Sequence, residues 1–251
     1  MSETAAVVAE SKYADDTRAL RRDRFYVGMS GFLLFVVVGG FAPTFSLRAL
    51  FHSTALPLYL HVHGAVLTAW YALTFLQPCL VALGQTHWHR RLGVAAIPVA
   101  LAVVVVSGVV LSGFAPRHLA EEGPAAIGPI FFGDLAVLVL FASLVSAALL
   151  ARRRSETHKR LMMLASLSIV GPAFGRWARF GFFAGVPPVA FSLGCYALLM
   201  GVMITHDVVT IRRVHPATAY GWTAFWVLGL GAIAFSSTEF AHGLLESLAL
   251  R

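Results

Sequence analysis

His63, Trp70 and Gln77 recur at seven-residue intervals inside the apolar run LHVHGAVLTAWYALTFLQPCL, Leu60 to Leu80. Seven residues are close to two helical turns, so the three side chains share one face of an α-helix. His61 lies about 200° around the same helix from His63 and is expected to face the headgroups or a neighbouring helix. Other ionisable residues are expected at similar depth. Asp134 falls about 12 Å inside its apolar run, Arg176 and Arg179 lie near the end of theirs, and Glu239 and His242 are spaced i, i+3 on one face. An ionisable group in hydrocarbon is costly, and several at one depth pair with each other or line a polar cavity. The pairing reading is an Asp134–Arg176 or Glu239–Arg179 ion pair that holds helices together. The chemical reading is a site for a metal or haem. His63, Asp134, Glu239 and His242 form a mixed nitrogen and oxygen donor set for Zn or Fe with a position left for water, as in a membrane hydrolase or oxidase.

A second set of histidines gathers at the other ends of the same runs. His87 and His89 fall in QTHWHRRLG, His158 in RRRSETHKRLMM, and His206 precedes Asp207. Charged and aromatic residues at helix ends are ordinary interfacial anchors. His215 reads as a loop residue before Pro216, which opens a helix.

The elements that must position these residues are set by composition. The chain is 58% hydrophobic and 12% charged, with a mean hydropathy of +0.77, which is too much apolar surface for one soluble core. The reading is an all-α polytopic membrane protein of seven transmembrane helices, at 26–46, 57–84, 92–115, 126–151, 161–182, 187–209 and 218–244, each long enough for the roughly 20-residue hydrocarbon. Residues 1–24 form a polar cytoplasmic tail with no apolar stretch of signal-peptide type, and 25–248 the transmembrane domain. Cytoplasmic loops retain excess Lys and Arg, and an N-in, C-out topology puts fourteen basic residues inside against five elsewhere. The chain is therefore expected in a membrane, with the lipid bilayer as its partner. The net charge of +7 is explained by those loops and does not call for nucleic acid.

Cys79 and Cys195 are expected at different depths, too far apart for a disulfide. Gly39-Gly40, Ser107-Gly108 and Gly229/Gly231 suit close helix packing. Gly39-Gly40 and Gly171-Pro172 could mark kinks, the feature that would suit a transporter or sensor with a proton or substrate path. The chain's two lysines, Lys12 and Lys159, are both predicted outside the hydrocarbon, which excludes a retinal Schiff base. There is no CxxCH, HExxH or GxGxxG motif.

The stretches HVHGAVLTAW, a Gln followed by HRRLG, and ETHKRLMMLAS resemble an uncharacterised family of bacterial seven-helix membrane proteins with H-R-x-L-G and H-K-R-L-M helix starts. The matching positions are His63, Trp70, Gln77, His89 to Gly93 and His158 to Met162, within residues 56 to 180. More loosely, paired histidines near both faces look like transmembrane b-type cytochromes. That likeness implies an electron-transfer protein with haem b and a separate electron donor. A low-spin haem takes two neutral imidazoles from different helices and cations near its propionates. The implied outer ligands are His63 and His242 with Arg176 or Arg179. The implied inner ligands are His89 and His158 with Arg90 or Arg160.

Overall fold

The computed structural model describes residues 24–51, 53, 55–183 and 185–249; all but Arg24 of the tail expected over 1–24 lies outside them. The regular elements among these residues are helices. They are α1 (Arg24–Phe41), α2 (Arg48–Phe51), α3 (Leu58–Ala82), α4 (Thr86–Ser112), α5 (Phe114–Glu122), α6 (Pro124–Leu150), α7 (Ser155–Ser168), α8 (Gly171–Trp177), α9 (Pro188–Ile211), α10 (Pro216–Ser236) and α11 (Glu239–Ala249), with one 3₁₀ turn, Gly181–Phe183. Six are long and apolar enough to cross a membrane: α1, α3, α4 with its continuation α5, α6, α9 and α10. They carry large apolar side chains on their outer faces, among them Phe35, Leu101, Val139, Val227 and Leu230, as lipid contact requires. This is a multi-pass membrane protein.

The fifth predicted span is the exception. Its run 161–182 is divided into α7, which begins earlier at Ser155, and α8. Pro172 has no N–H to give to the carbonyl four residues back, and its ring would clash with that carbonyl, so the helix ends at Ser168 and restarts at Gly171. The seventh predicted span, 218–244, is also divided. Thr238 accepts from the Ala241 N–H (3.2 Å) at the start of α11, an N-cap that ends one helix and begins another.

The broken helix occupies the centre. Arg160 and every residue from Met163 to Ser168 are buried, against α3, α6 and α10. Around it α3 packs on α4, α4 on α6, α6 on α10, and α10 on α9. α1 closes the ring. Phe75 of α3 lies against Gly31, the indole of Trp177 against Gly39 and Gly40, and Phe25 stacks on His206 of α9 at 3.8 Å. The Trp177 Nε1–H donates to the Val36 carbonyl (2.8 Å). A smaller apolar cluster of Leu111, Ile127, Phe131, Phe132, Ala241 and Leu245 fastens α11 over the junction of α4 and α6. The start of α1, the α3–α4 and α6–α7 turns and the α9–α10 turn share one end, here called the basic end after Arg90, Arg91, Arg152–Arg154, Arg212 and Arg213.

Candidate functional site

Polar groups follow the central helix from end to end. At the break, two carbonyls of α7 lack helical donors. The Ser168 carbonyl loses its partner to Pro172 and accepts from the Tyr196 hydroxyl of α9 (3.1 Å). The Val170 N–H bonds Leu167 instead of Ser166, and the Ser166 carbonyl accepts from the Tyr71 hydroxyl of α3 (2.8 Å). The Ser166 hydroxyl bonds back to Met162 (3.2 Å), meets Thr74 Oγ1 (3.1 Å) and accepts from the Trp70 indole (3.2 Å). Both serines and both tyrosines are buried. Non-helical backbone at membrane depth is tolerated where protein satisfies it, and here side chains of α3 and α9 do so. Gly171 leaves room for this arrangement, since a Cβ there would stand 2.8 Å from the Tyr196 hydroxyl.

Asp134 belongs to the same region. It sits on an exposed position of α6, and its charge bears on Tyr196. It makes no ion pair or hydrogen bond among the described residues, so the predicted Asp134–Arg176 pair is not formed. Glu239 forms none with Arg179 either; both are exposed, on α11 and beyond α8.

Nearer the basic end, Arg160 is fully buried. Its Nε donates to Asp207 Oδ1 (2.8 Å), its Nη2 lies 2.6 Å from the same oxygen, and its Nη1 donates to the Glu156 carboxylate (2.7 Å) and carbonyl (2.8 Å). Asp207 Oδ2 accepts from Thr218 Oγ1 (2.6 Å) and the His215 N–H (3.0 Å). One guanidinium thus ties α7 to α9 and, through the carboxylate, to the start of α10. Glu156 also meets Lys159 at 2.9 Å. Burial pushes the Glu156 carboxyl up, but hydrogen bonds from Arg160 and Lys159 outweigh it and leave its pKa at about 2. His215 caps α10, with Nδ1 accepting from the Ala217 N–H (3.1 Å), and Pro216 opens the helix as the sequence predicts. Burial first, then the charge of Arg160, holds the His215 imidazole below its ordinary pKa.

The predicted ligands are distributed as follows. His63, Trp70 and Gln77 are at least half-buried along one face of α3: the charge of Arg176 bears on His63, Trp70 faces α7, and Gln77 faces α4. His61 is exposed and turns back to the Pro57 carbonyl (3.3 Å). His242 lies on α11, which packs on α5, α6 and α10, whereas His63 lies on α3, which packs on α4 and α7. The outer histidine pair is therefore not assembled. Nor is the Zn or Fe set of His63, Asp134, Glu239 and His242: among the described residues no three His, Cys, Asp or Glu side chains come together as a metal site. The reason is the break after Ser236, which takes Glu239 and His242 out of the seventh span onto a separate surface helix.

The inner pair is closer to its expected arrangement. His158 gives its Nδ1–H to the Ala148 carbonyl (2.8 Å), an orphan at the end of α6, which leaves Nε2 as the lone-pair nitrogen. His89 stands close enough for the charge of His158 to bear on it. With the Gln77 amide turned to satisfy both ends, its nitrogen donates to His89 Nδ1 and to the His89 carbonyl (3.1 Å), and its oxygen accepts from the Gly93 N–H (3.0 Å). That puts the His89 proton on Nε2. A haem iron would need the opposite tautomer, with the amide oxygen facing Nδ1. Arg160, a predicted propionate partner, is engaged by Asp207 and Glu156; Arg90 is exposed.

Sequence reasoning does not single out Tyr71, Tyr196, Ser166 or Ser168. The signal for the last of these is Pro172, four residues on from the carbonyl it strands. No family model, curated protein or solved structure matches the chain.

Proposed function

We propose that this is a multi-pass protein of the bacterial inner membrane that moves a small solute or protons along its broken central helix. Counting α7–α8 as a crossing gives seven, and placing the basic end in the cytoplasm gives N-in, C-out. The observation that carries the reading is the interruption of a buried central helix beside Asp134, an accessible carboxylate with no partner among the described residues. Discontinuous helices in membranes place backbone polar groups where solutes pass, and an unpaired acid on a neighbouring span such as α6 marks a proton or ion path. Tyr71, Tyr196 and the two serines continue the polar line from Asp134 into the centre. The test is proton flux into proteoliposomes containing a pH-sensitive dye, driven by a potential with acetate and phosphate present. Wild type is expected to conduct and folded Asp134→Asn to lose most of the flux. A silent wild type, or equal flux in the variant, overturns the reading.

A second reading, a b-type cytochrome-like protein with His89 and His158 as haem ligands and a separate electron donor, is favoured by the His158 bond to Ala148, which orients Nε2 as a ligand nitrogen. Haem would supply one-electron chemistry there. A reduced-minus-oxidised absorption spectrum of protein from haem-supplied cells decides it. An α-band lost in His158→Ala supports this reading, and a featureless spectrum removes it.

A further inference from the structure

Arg176 stands near the far end of the bundle without an acid. Its Nη1 donates to the Pro172 carbonyl (3.0 Å), and its guanidinium carbon lies 3.8 Å from the centre of the Phe41 ring. Its Nε is buried and has no hydrogen-bond partner, and no carboxylate among the described residues pairs with it. The charge of Arg176 bears on His63 of α3, whose Nδ1 is likewise buried and unpartnered. The other charge that bears on Arg176 is a second cation, Arg179. Phe45 lies against Gly64, beside His63, where a Cβ would come within 2.5 Å of its ring.

The unpartnered Arg176 Nε–H, on a half-buried cation with another cation nearby, and the unpartnered His63 Nδ1 make a locus of unbalanced positive charge. The ring of Phe41 favours the guanidinium through its face but offers no acceptor to Nε. A buried donor or charge left unpaired is costly, and the group that relieves both costs at once is an oxyanion. The guanidinium edge presents parallel N–H groups that match two oxygens of a carboxylate or phosphate, and His63, in the tautomer with its proton on Nδ1, adds a donor from another helix.

We propose that Arg176 and His63 form a binding site for an oxyanion, a carboxylate or phosphate group, between α1, α3 and α8. It deepens the transport reading, on which it rests only in taking the anion to be the solute; as a binding site it stands apart from any flux. The anion could come from free small molecules or from a phospholipid headgroup at that face.

The experiment is equilibrium dialysis of the detergent-purified full chain against radiolabelled inorganic phosphate, followed by competition with acetate, dihexanoyl-phosphatidylglycerol and dihexanoyl-phosphatidylcholine. Wild type is expected to bind saturably. Arg176→Gln and His63→Gln should each weaken binding roughly tenfold or more, and Arg176→Lys, which keeps the charge but not the fork, by less than Arg176→Gln. Displacement by phosphatidylglycerol well below the phosphate concentration assigns the site to a headgroup; displacement by acetate but not by the lipid assigns it to free anions. Failure of every probe to bind wild type overturns the proposal, as does unchanged binding in folded Arg176→Gln. If that variant does not fold, His63→Gln decides by the same criterion. Binding without flux would leave the site standing and sink transport; flux without binding would do the reverse.

Discussion

The Tyr196 hydroxyl and the Ser168 carbonyl meet at 3.1 Å, and this bond replaces the one that Pro172 removes from the central helix. A side chain of one helix thus completes the backbone of another.

That substitution of partners can be measured. Tyr196→Phe leaves a buried carbonyl without a donor and should cost about 1–3 kcal/mol. In Pro172→Ala the N–H of residue 172 can bond Ser168 directly, so Tyr196→Phe should cost much less in that background. Thermal unfolding in detergent of the four proteins of the cycle gives the coupling, and strict additivity would show that the two residues do not share this carbonyl.

Arg160 and Asp207 supply a second cycle. Removing the guanidinium in Arg160→Met strands a buried carboxylate and is expected to destabilise by about 3–5 kcal/mol. Replacing both, as in Arg160→Met with Asp207→Leu, should recover a substantial part of that loss. A double variant as unstable as the sum of the singles would contradict the buried pair.

Stability should fall with acid in two stages. The His215 imidazole has a lowered folded pKa, so its contribution is complete above its ordinary value near 6.5 and declines as pH drops through that value towards the folded one. The geometry gives the same sign, because a protonated Nδ1 cannot accept from Ala217. Glu156, pushed down to about 2, contributes fully above its ordinary 4.5 and loses that contribution as pH falls towards about 2. Unfolding midpoints from pH 8 to pH 3 test both. His215→Asn, which keeps a capping acceptor that does not titrate, should flatten the first stage only.

Thr238→Ala removes the cap of α11 and should weaken that helix by about 1 kcal/mol. Limited proteolysis of the membrane-embedded protein is expected to cut faster between Ser236 and Glu239, with the rest of the bundle intact. Equal rates in variant and wild type would argue for one continuous helix.

Much of the architecture was legible in the sequence because hydrocarbon length and apolar runs are local properties: α3, α6 and α9 begin and end within a few residues of their predicted spans. The breaks were less legible. Gly171-Pro172 stands out as a possible kink, but that the break is buried and relieved by tyrosines of two other helices depends on packing. The run 218–244 reads as one apolar span, and its division at Ser237-Thr238 shows only in the structure, where Thr238 caps α11. The cytochrome likeness implies Arg160 as a propionate partner, whereas the partner it has in the structure, Asp207, lies 47 residues away, a distance no local pattern spans. The candidate site was legible in kind, as polar residues in hydrocarbon, but which of them meet depended on the order of helices around α7.

The central position of α7 also bears on how the protein is made. At 14 residues, with Arg160 in its second turn, α7 falls short of the roughly 20 apolar residues that cross lipid unaided. As the chain emerges from the ribosome, α7 must enter the bilayer against helices already there, before Asp207 and Tyr196 have been synthesised. Nascent chains halted before α9 would hold that segment with its Ser168 carbonyl unmatched and Arg160 paired with Glu156 alone, a stage open to membrane proteases.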